Sequence, residues 1–284
     1  MERTYRLTIS CPDRTGIVAK VSNFLATYNG WITEASHHAD QKTGWFFMRN
    51  EIKASSMSFD LESFRIAFEP IAKEYSMCWH VSDSDVKKRV VLMASKESHC
   101  LADILHRWHS NELDAEIVAV ISNHDDLRRM VEWHDIPYHH VPVDKDNKAV
   151  AFAKVSELVD QYQTDVIVLA RYMQILPPDL CAGYAGRVIN IHHSFLPSFA
   201  GAKPYHKAYD RGVKLIGATC HYVTEDLDEG PIIDQDVIRV SHRDSTEDMV
   251  RLGKDVERMV LSRGLRCHLE DRVIIYENKT VVFN

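Results

Sequence analysis

Between residues 90 and 192 the chain alternates short apolar runs with amphipathic stretches, and this rhythm limits the fold more than any other feature. Residues 90–94, 117–122, 165–170 and 188–192 are almost continuously apolar, while 98–109, 125–134 and 148–163 carry apolar residues at helical spacing. Strands that are apolar on both faces need cover on both faces. The expected core is therefore a Rossmann-like, mostly parallel α/β sheet with helices on either side. Two longer strand-like runs follow at 214–223 and 232–240, then a helix over 245–263 and a hairpin made of 272–276 and 280–283.

The first 82 residues follow a different pattern. Tyr5, Leu7, Ile9 and Cys11 alternate as in a half-buried strand, and residues 12–16 read as a turn. Ile17, Val21, Phe24, Leu25 and Tyr28 then recur at helical spacing, and Asn29-Gly30 stops that helix. Strands at 31–37 and 44–52, a second amphipathic helix on Leu61, Phe64, Phe68 and Ile71, and a last strand at 77–81 complete a β-α-β-β-α-β order, the ferredoxin-like pattern. The polar, turn-rich stretch Ser82-Asp83-Ser84-Asp85-Val86-Lys87-Lys88 separates the two rhythms. The expected domains are 1–82 and 89–284, with 83–88 as a linker.

Composition narrows the function. A formal net charge of −7, with only small basic clusters, disfavours nucleic acid as a partner. No apolar run is long enough for a membrane span, and the N-terminus has no signal-peptide core. The 6 cysteines are scattered without a C-x-x-C pair, which fits reduced thiols and a cytoplasmic location. The 16 histidines show no recognised ligand spacing, so no metal site is expected.

Two stretches carry chemistry. In Asn190-Ile191-His192-His193-Ser194-Phe195-Leu196-Pro197, an amide and an imidazole two residues apart share one face of a strand. At the C-terminal end of a parallel strand this pair either binds a ligand or satisfies the strand end. In the second, residues 219–233, a carboxylate-rich loop is closed by Gly230-Pro231 and followed at once by an apolar strand. Glu225 and Asp226 read as a solvated turn, whereas Asp228 is pinned. Asn, His and Asp together suit attack on a carbonyl, with donors for an oxyanion and a carboxylate to orient imidazole or water.

These motifs, with Leu-Ala-x-Tyr-Met-x-Ile-Leu at 169–176, resemble the folate-dependent formyltransferase fold. The resemblance implies that Asn190, His192 and Asp228 are catalytic. It also implies that Met173, Ile175 and Leu176 line a pterin pocket, although by composition alone they read as core. By the same resemblance the backbone of 224–228, including Thr224 and Glu225, meets the pterin edge, and Lys148 lies near the folate glutamate tail. Gln174 stands where another basic residue is usual, which weakens tail recognition.

The first domain, with Cys-Pro-Asp-Arg-Thr-Gly-Ile-Val at 11–18, resembles an ACT domain. That implies amino-acid regulation, by glycine or methionine, at Asp13, Gly16, Asn29 and Gly30, in a homo-oligomer (dimer or tetramer). Asp13 has the plainer reading of a helix N-cap, and Gly16 that of a packing need.

The two parts joined, together with residues 192–209, resemble the formyltetrahydrofolate deformylase family. The implied reaction is hydrolysis of 10-formyltetrahydrofolate to formate and tetrahydrofolate, feeding one-carbon and purine metabolism, with folate as substrate and no cofactor. The loop 94–100 supports water as the acceptor: it has no glycine to let backbone approach a phosphate, and Glu97 would repel one, an effect Lys96 partly offsets. A formyl transferase acting on a small amine, and a non-catalytic folate or amino-acid sensor, are the alternatives.

Overall fold

The alternation of Tyr5, Leu7, Ile9 and Cys11 yields β1 (Thr4–Pro12), which buries all four side chains. The computed structural model describes residues 2–197 and 204–283. After β1 come α1 (Ile17–Thr27), β2 (Trp31–Asp40), β3 (Trp45–Lys53), α2 (Leu61–Glu74) and β4 (Cys78–Asp83). The sheet order is β2-β3-β1-β4 with every neighbouring pair antiparallel, so the β-α-β-β-α-β order is present. The helices pack through Phe24, Phe64 and Phe68, whose rings meet edge-on or tilted at 5.2–5.9 Å. Helix α2 is capped by Asp60, whose carboxylate accepts a hydrogen bond from the Ser63 N–H at 2.9 Å. Helix α1 stops as expected, but Asn29 is the residue that takes the left-handed conformation (φ 61).

On the sheet lies Arg49, with its side chain 1% exposed. It donates to Glu34 (3.1 Å), Glu51 (2.8 Å) and the carbonyls of Glu270 (3.0 Å) and Asp271 (3.2 Å). Those carbonyls explain a departure from the expected boundaries. Residues 270–276, and those from Val281 onward, group with the first 87 residues and not with 89–269.

The second unit begins with β5 (Arg89–Ala94), α3 (His99–His109), β6 (Glu116–Ser122), α4 (Arg128–Glu132), β7 (Tyr138–His140) and α5 (Lys148–Gln161). It continues with β8 (Val166–Leu169), α6 (Pro178–Gly183), β9 (Val188–His192), α7 (Pro204–Arg211), β10 (Leu215–Tyr222), β11 (Ile232–Arg239) and α8 (Thr246–Leu269). A short hairpin, β12 (Val273–Tyr276) and β13 (Lys279–Val282), ends the chain.

The seven-stranded sheet runs β11-β10-β9-β8-β5-β6-β7. It is parallel from β9 to β7 and antiparallel at β10 and β11. Helices α5 and α6 bury Phe152, Val155, Val159 and Leu180 against Val91, Met93, Ile121 and Ile167, while α8 lies along β9, β10 and β11 and meets α3. The order reverses beside β5, where the chain leaves for β6 on one side and β8 on the other. Open α/β sheets bind ligands at such a switch point, beyond the C-terminal strand ends. Among the described residues, no helix is long and apolar enough to cross a membrane.

Candidate active site

A cavity of about 610 Å³ opens at the ends of β8 and β9. Its floor is set by backbone pairing. Asn190 lies opposite Leu169 on the parallel neighbour β8 and opposite His221 on the antiparallel neighbour β10. Ser95, at the end of β5, donates to Asn123 (2.6 Å) and accepts from the Met173 N–H (2.9 Å), fixing the turn after β8.

The loop from Val223 to Pro231 brings in the carboxylate. Tyr222 and Pro231 close it through a backbone hydrogen bond of 2.9 Å. At Gly230 a Cβ would lie 1.8 Å from the Tyr222 carbonyl oxygen, so only glycine allows this closure. Asn278 donates to the Glu229 carbonyl at 2.9 Å. Held in this way, Asp228 adopts left-handed backbone (φ 59) and its Oδ1 lies 3.2 Å from His192 Nδ1 and 3.9 Å from His221 Nε2.

Hydrogen bonds assign the proton positions. The His221 Nδ1–H donates to the Tyr222 carbonyl (2.9 Å), leaving Nε2 to accept from Asn190 Nδ2 at 3.1 Å. Burial pushes the His221 imidazole below its ordinary value, so it is neutral in this role. The His192 hydrogen bond holds the Asp228 carboxyl below the usual carboxylate range, against the opposing effect of burial. Asp228 is therefore ionised and takes the Nδ1–H of His192. The other nitrogen, His192 Nε2, is buried and has no hydrogen-bond partner among the described residues. The arrangement is a carboxylate-oriented imidazole whose second nitrogen is unclaimed by the described residues, beside an amide whose direction is fixed.

The structure thus brings Asn190, His192 and Asp228 together. Met173 (55% exposed) and Ile175 (58% exposed) form an apolar lip to the cavity, and the buried Leu176, with Thr224 and Glu225, also lines it. Lys148 is not brought there. It begins α5, its Nζ lies 5.9 Å from the Phe152 ring, and it is absent from the described cavity lining.

In the first unit, Asp13 does not cap α1. Its N–H donates to the Gly44 carbonyl at 2.8 Å, and Gly16 (φ 98) occupies the N-cap position. Asn29 donates to Ser58 (3.0 Å), and Gly30 sits tightly against Met57 and the Leu25 carbonyl. These are structural contacts and do not by themselves define a ligand site.

Residues 88–265 match the formyl transferase family. Over 98% of its length the chain is 50% identical to the formyltetrahydrofolate deformylase of Bacillus subtilis (strain 168), of which it covers 93%. The crystal structure of a formyltetrahydrofolate deformylase from Pseudomonas syringae pv. tomato str. DC3000 is similar with a TM-score of 0.99 at 73% identity, covering 100% of this chain and 95% of that one. The chain belongs to the formyltetrahydrofolate deformylase family. Glycinamide ribonucleotide transformylase 1 from Symbiobacterium toebii shares the fold more loosely, with a TM-score of 0.65 at 27% identity over 70% of this chain and 95% of that one.

This member of the deformylase family has a second, polar end to its cavity, lined by Glu97, Arg171, His193, Tyr205, Lys254 and Glu257, of which sequence reasoning missed Arg171, Tyr205, Lys254 and Glu257. Glu257 is 1% exposed. It accepts from His99 Nε2 (2.7 Å) and from the Tyr205 hydroxyl (2.6 Å), with Arg171 Nε at 3.4 Å. Burial alone would raise the Glu257 carboxyl, but these partners hold it below the ordinary value. Tyr205 reaches it because residue 253 on α8 is glycine, where a Cβ would lie 2.1 Å from the hydroxyl. Glu97 pairs with Lys254 at 2.5 Å, so the cation that offsets its charge is Lys254, not Lys96.

His99, Cys100 and Glu257 each offer one ligand atom within 4.8 Å of the others. However, His99 and Glu257 are spent on each other, Arg171 supplies the neighbouring positive charge, and burial keeps the Cys100 thiol protonated. One signal for this end was available in the sequence: Glu257 interrupts the buried stripe Val256, Val260, Leu261 of α8.

Proposed function

We propose that this chain hydrolyses 10-formyltetrahydrofolate to formate and tetrahydrofolate, with Asn190, His192 and Asp228 as the reacting groups. The observation that carries this reading is His192, a residue of the apolar-lipped cavity: Asp228 holds one ring nitrogen, and the other has no hydrogen-bond partner among the described residues. The pterin lies against Met173, Ile175 and Leu176 and the backbone of 224–228, which places the formyl group over the β9 end.

The formyl nitrogen shares its lone pair with an aromatic ring, so the carbonyl is activated and the amine leaves readily. Asp228 orients the attacking water. As the new C–O bond forms, the amide of Asn190, aimed by His221, donates to the developing oxyanion. The proton released by water is carried by the His192–Asp228 pair to the leaving nitrogen, and the C–N bond breaks. The transferred proton has a protein group to hold it, so 10-formyltetrahydrofolate is the substrate, tetrahydrofolate is the product, and no further cofactor is proposed. An amine acceptor would have to enter past Glu97, Lys254 and the Glu257 cluster, which favours water.

Residues 1–82, in the same proposal, act as an ACT-type module that senses glycine or methionine in a cytoplasmic homo-oligomer, a dimer or tetramer, and so gates formate supply to purine synthesis. The β-α-β-β-α-β order and the left-handed turn at Gly16 support it. The test of the main reading is direct. Purified chain given 10-formyltetrahydrofolate without any amine should release formate and tetrahydrofolate in equal amounts. Turnover that requires an amine would make it a transferase.

A further inference from the structure

We infer that Arg171 forms a subsite for the formate anion, at the polar end of the cavity. This rests on the hydrolytic reading above and extends it to the product. Addition of water to the formyl carbon and rupture of the C–N bond yield formic acid, which loses its proton at neutral pH. The enzyme must then hold, and release, a small carboxylate beside the groups that made it.

Arg171 is placed for that. It follows β8 directly, in left-handed backbone (φ 64) that is strained for a residue with a Cβ and that here lets the side chain line the cavity. Its side chain is only 13% exposed. Among the described residues its one charged contact is Nε to Glu257 at 3.4 Å, and that Nε has no hydrogen bond. Glu257 is otherwise satisfied by His99 and Tyr205, and Glu97 by Lys254. The two carboxylates of this end therefore leave the outer edge of the guanidinium unclaimed.

A planar fork of N–H donors matches a carboxylate through two parallel hydrogen bonds. His193 lies between the two ends of the cavity, its ring 5.1 Å from that of His192 and 6.4 Å from that of Tyr205. Burial first, and the Arg171 charge next, push its imidazole down to about 4, so it stays neutral and does not compete for the anion.

The test uses the full chain saturated with tetrahydrofolate and titrated with ¹³C-formate, followed by line broadening, with formate inhibition of turnover measured in parallel. Wild type should bind formate saturably. Arg171→Gln should weaken that binding by at least about tenfold, the usual cost of losing a charged hydrogen-bond partner. Arg171→Lys, which keeps the charge and loses the fork, should fall between, and it decides the matter if the Gln variant does not fold. Equal formate affinity in wild type and both variants, or no saturable binding in wild type, overturns the subsite.

A glutamate-tail role for Arg171 is separated by substrate. If Arg171→Gln weakens tetrahydrofolate but not tetrahydropteroate, which lacks the glutamate, and leaves formate binding intact, the inference is wrong. Asp228→Asn keeps the two readings apart. It should lose turnover without losing formate binding, so retained turnover there counts against Asp228 as a reacting group and not against Arg171, while a requirement for an amine in wild type counts against the hydrolytic reading.

Discussion

Arg49 and Arg171 are both largely buried, and they are buried in opposite ways. Every nitrogen of the Arg49 guanidinium donates to a carboxylate or a carbonyl. Arg171 has one carboxylate at 3.4 Å and an Nε without a hydrogen bond, and His192 Nε2 in the same cavity is likewise unpartnered. A buried polar group without a partner costs free energy, so a fold retains it where something else supplies the partner. Between these two arginines, the saturated one belongs to a structural ion cluster and the unsaturated one lines the cavity.

The sharpest break would come from Asp228→Asn. If the orphaned His192 nitrogen works because Asp228 holds the ring, turnover should fall roughly 10²–10⁴-fold, while tetrahydrofolate affinity changes by less than about tenfold. Steady-state kinetics and a direct binding titration check both halves. Near-normal turnover would remove Asp228 from the chemistry.

On the saturated side, Arg49→Met should strip one buried cation from Glu34 and Glu51, which keep Arg272 and Arg6 respectively, and cost about 3 kcal/mol of stability. A urea unfolding curve reads that loss, and turnover per folded molecule should be unchanged. An Arg49 variant that loses turnover while keeping its stability would reverse the sorting.

The two halves of that contrast were unequally legible in the sequence. Strands β1, β5, β6, β8 and β9 were read from period-two alternation or continuous apolar runs, because their side chains face packed neighbours. Strand β7 spans three residues and carries no periodicity, and α6 has only six residues, opening at Pro178, so neither gives a signal. Helix α8 runs past the expected end at 263 because Leu265 and Leu269 are also buried.

Asn190, His192 and Asp228 were readable because each sits in a local motif. Arg171, Tyr205 and Glu257 come from three distant segments and meet only through packing. Lys148 is matched by count along the chain alone, with no local motif, and it lies outside the described cavity lining. The final residues read as part of the second domain because nothing in the sequence announces that the carbonyls of Glu270 and Asp271 accept from Arg49.

A smaller effect separates the cavity histidines from the rest. His193 has a folded-state value of about 4 against an ordinary 6.5, so between those values the unfolded chain takes up a proton that the folded chain refuses. Its neutral form faces Arg171, His192, Glu257 and Asp228. Stability should therefore be fully present above pH 6.5 and decline as pH falls towards 4, with His193 accounting for roughly 2–3 kcal/mol. Urea midpoints at neutral and acid pH, compared with His193→Asn, measure its share. An unchanged decline in the variant would assign the effect elsewhere.

The smallest effect belongs to the lip. Met173 is half exposed, and Met173→Ala should weaken tetrahydrofolate by roughly fivefold, about 1 kcal/mol of lost apolar contact. Turnover at saturation should be unchanged. A fall in the saturated rate would place Met173 closer to the reacting atoms than the lip position allows.

The account stands on His192 and Asp228 acting as one unit with Nε2 as its working atom. A double-mutant cycle on turnover, comparing His192→Ala, Asp228→Asn and both together, tests this most directly. The account predicts that the double variant is scarcely slower than the slower single variant, because removing either residue already disables the pair. Rate losses that multiply would show two independent groups and contradict it.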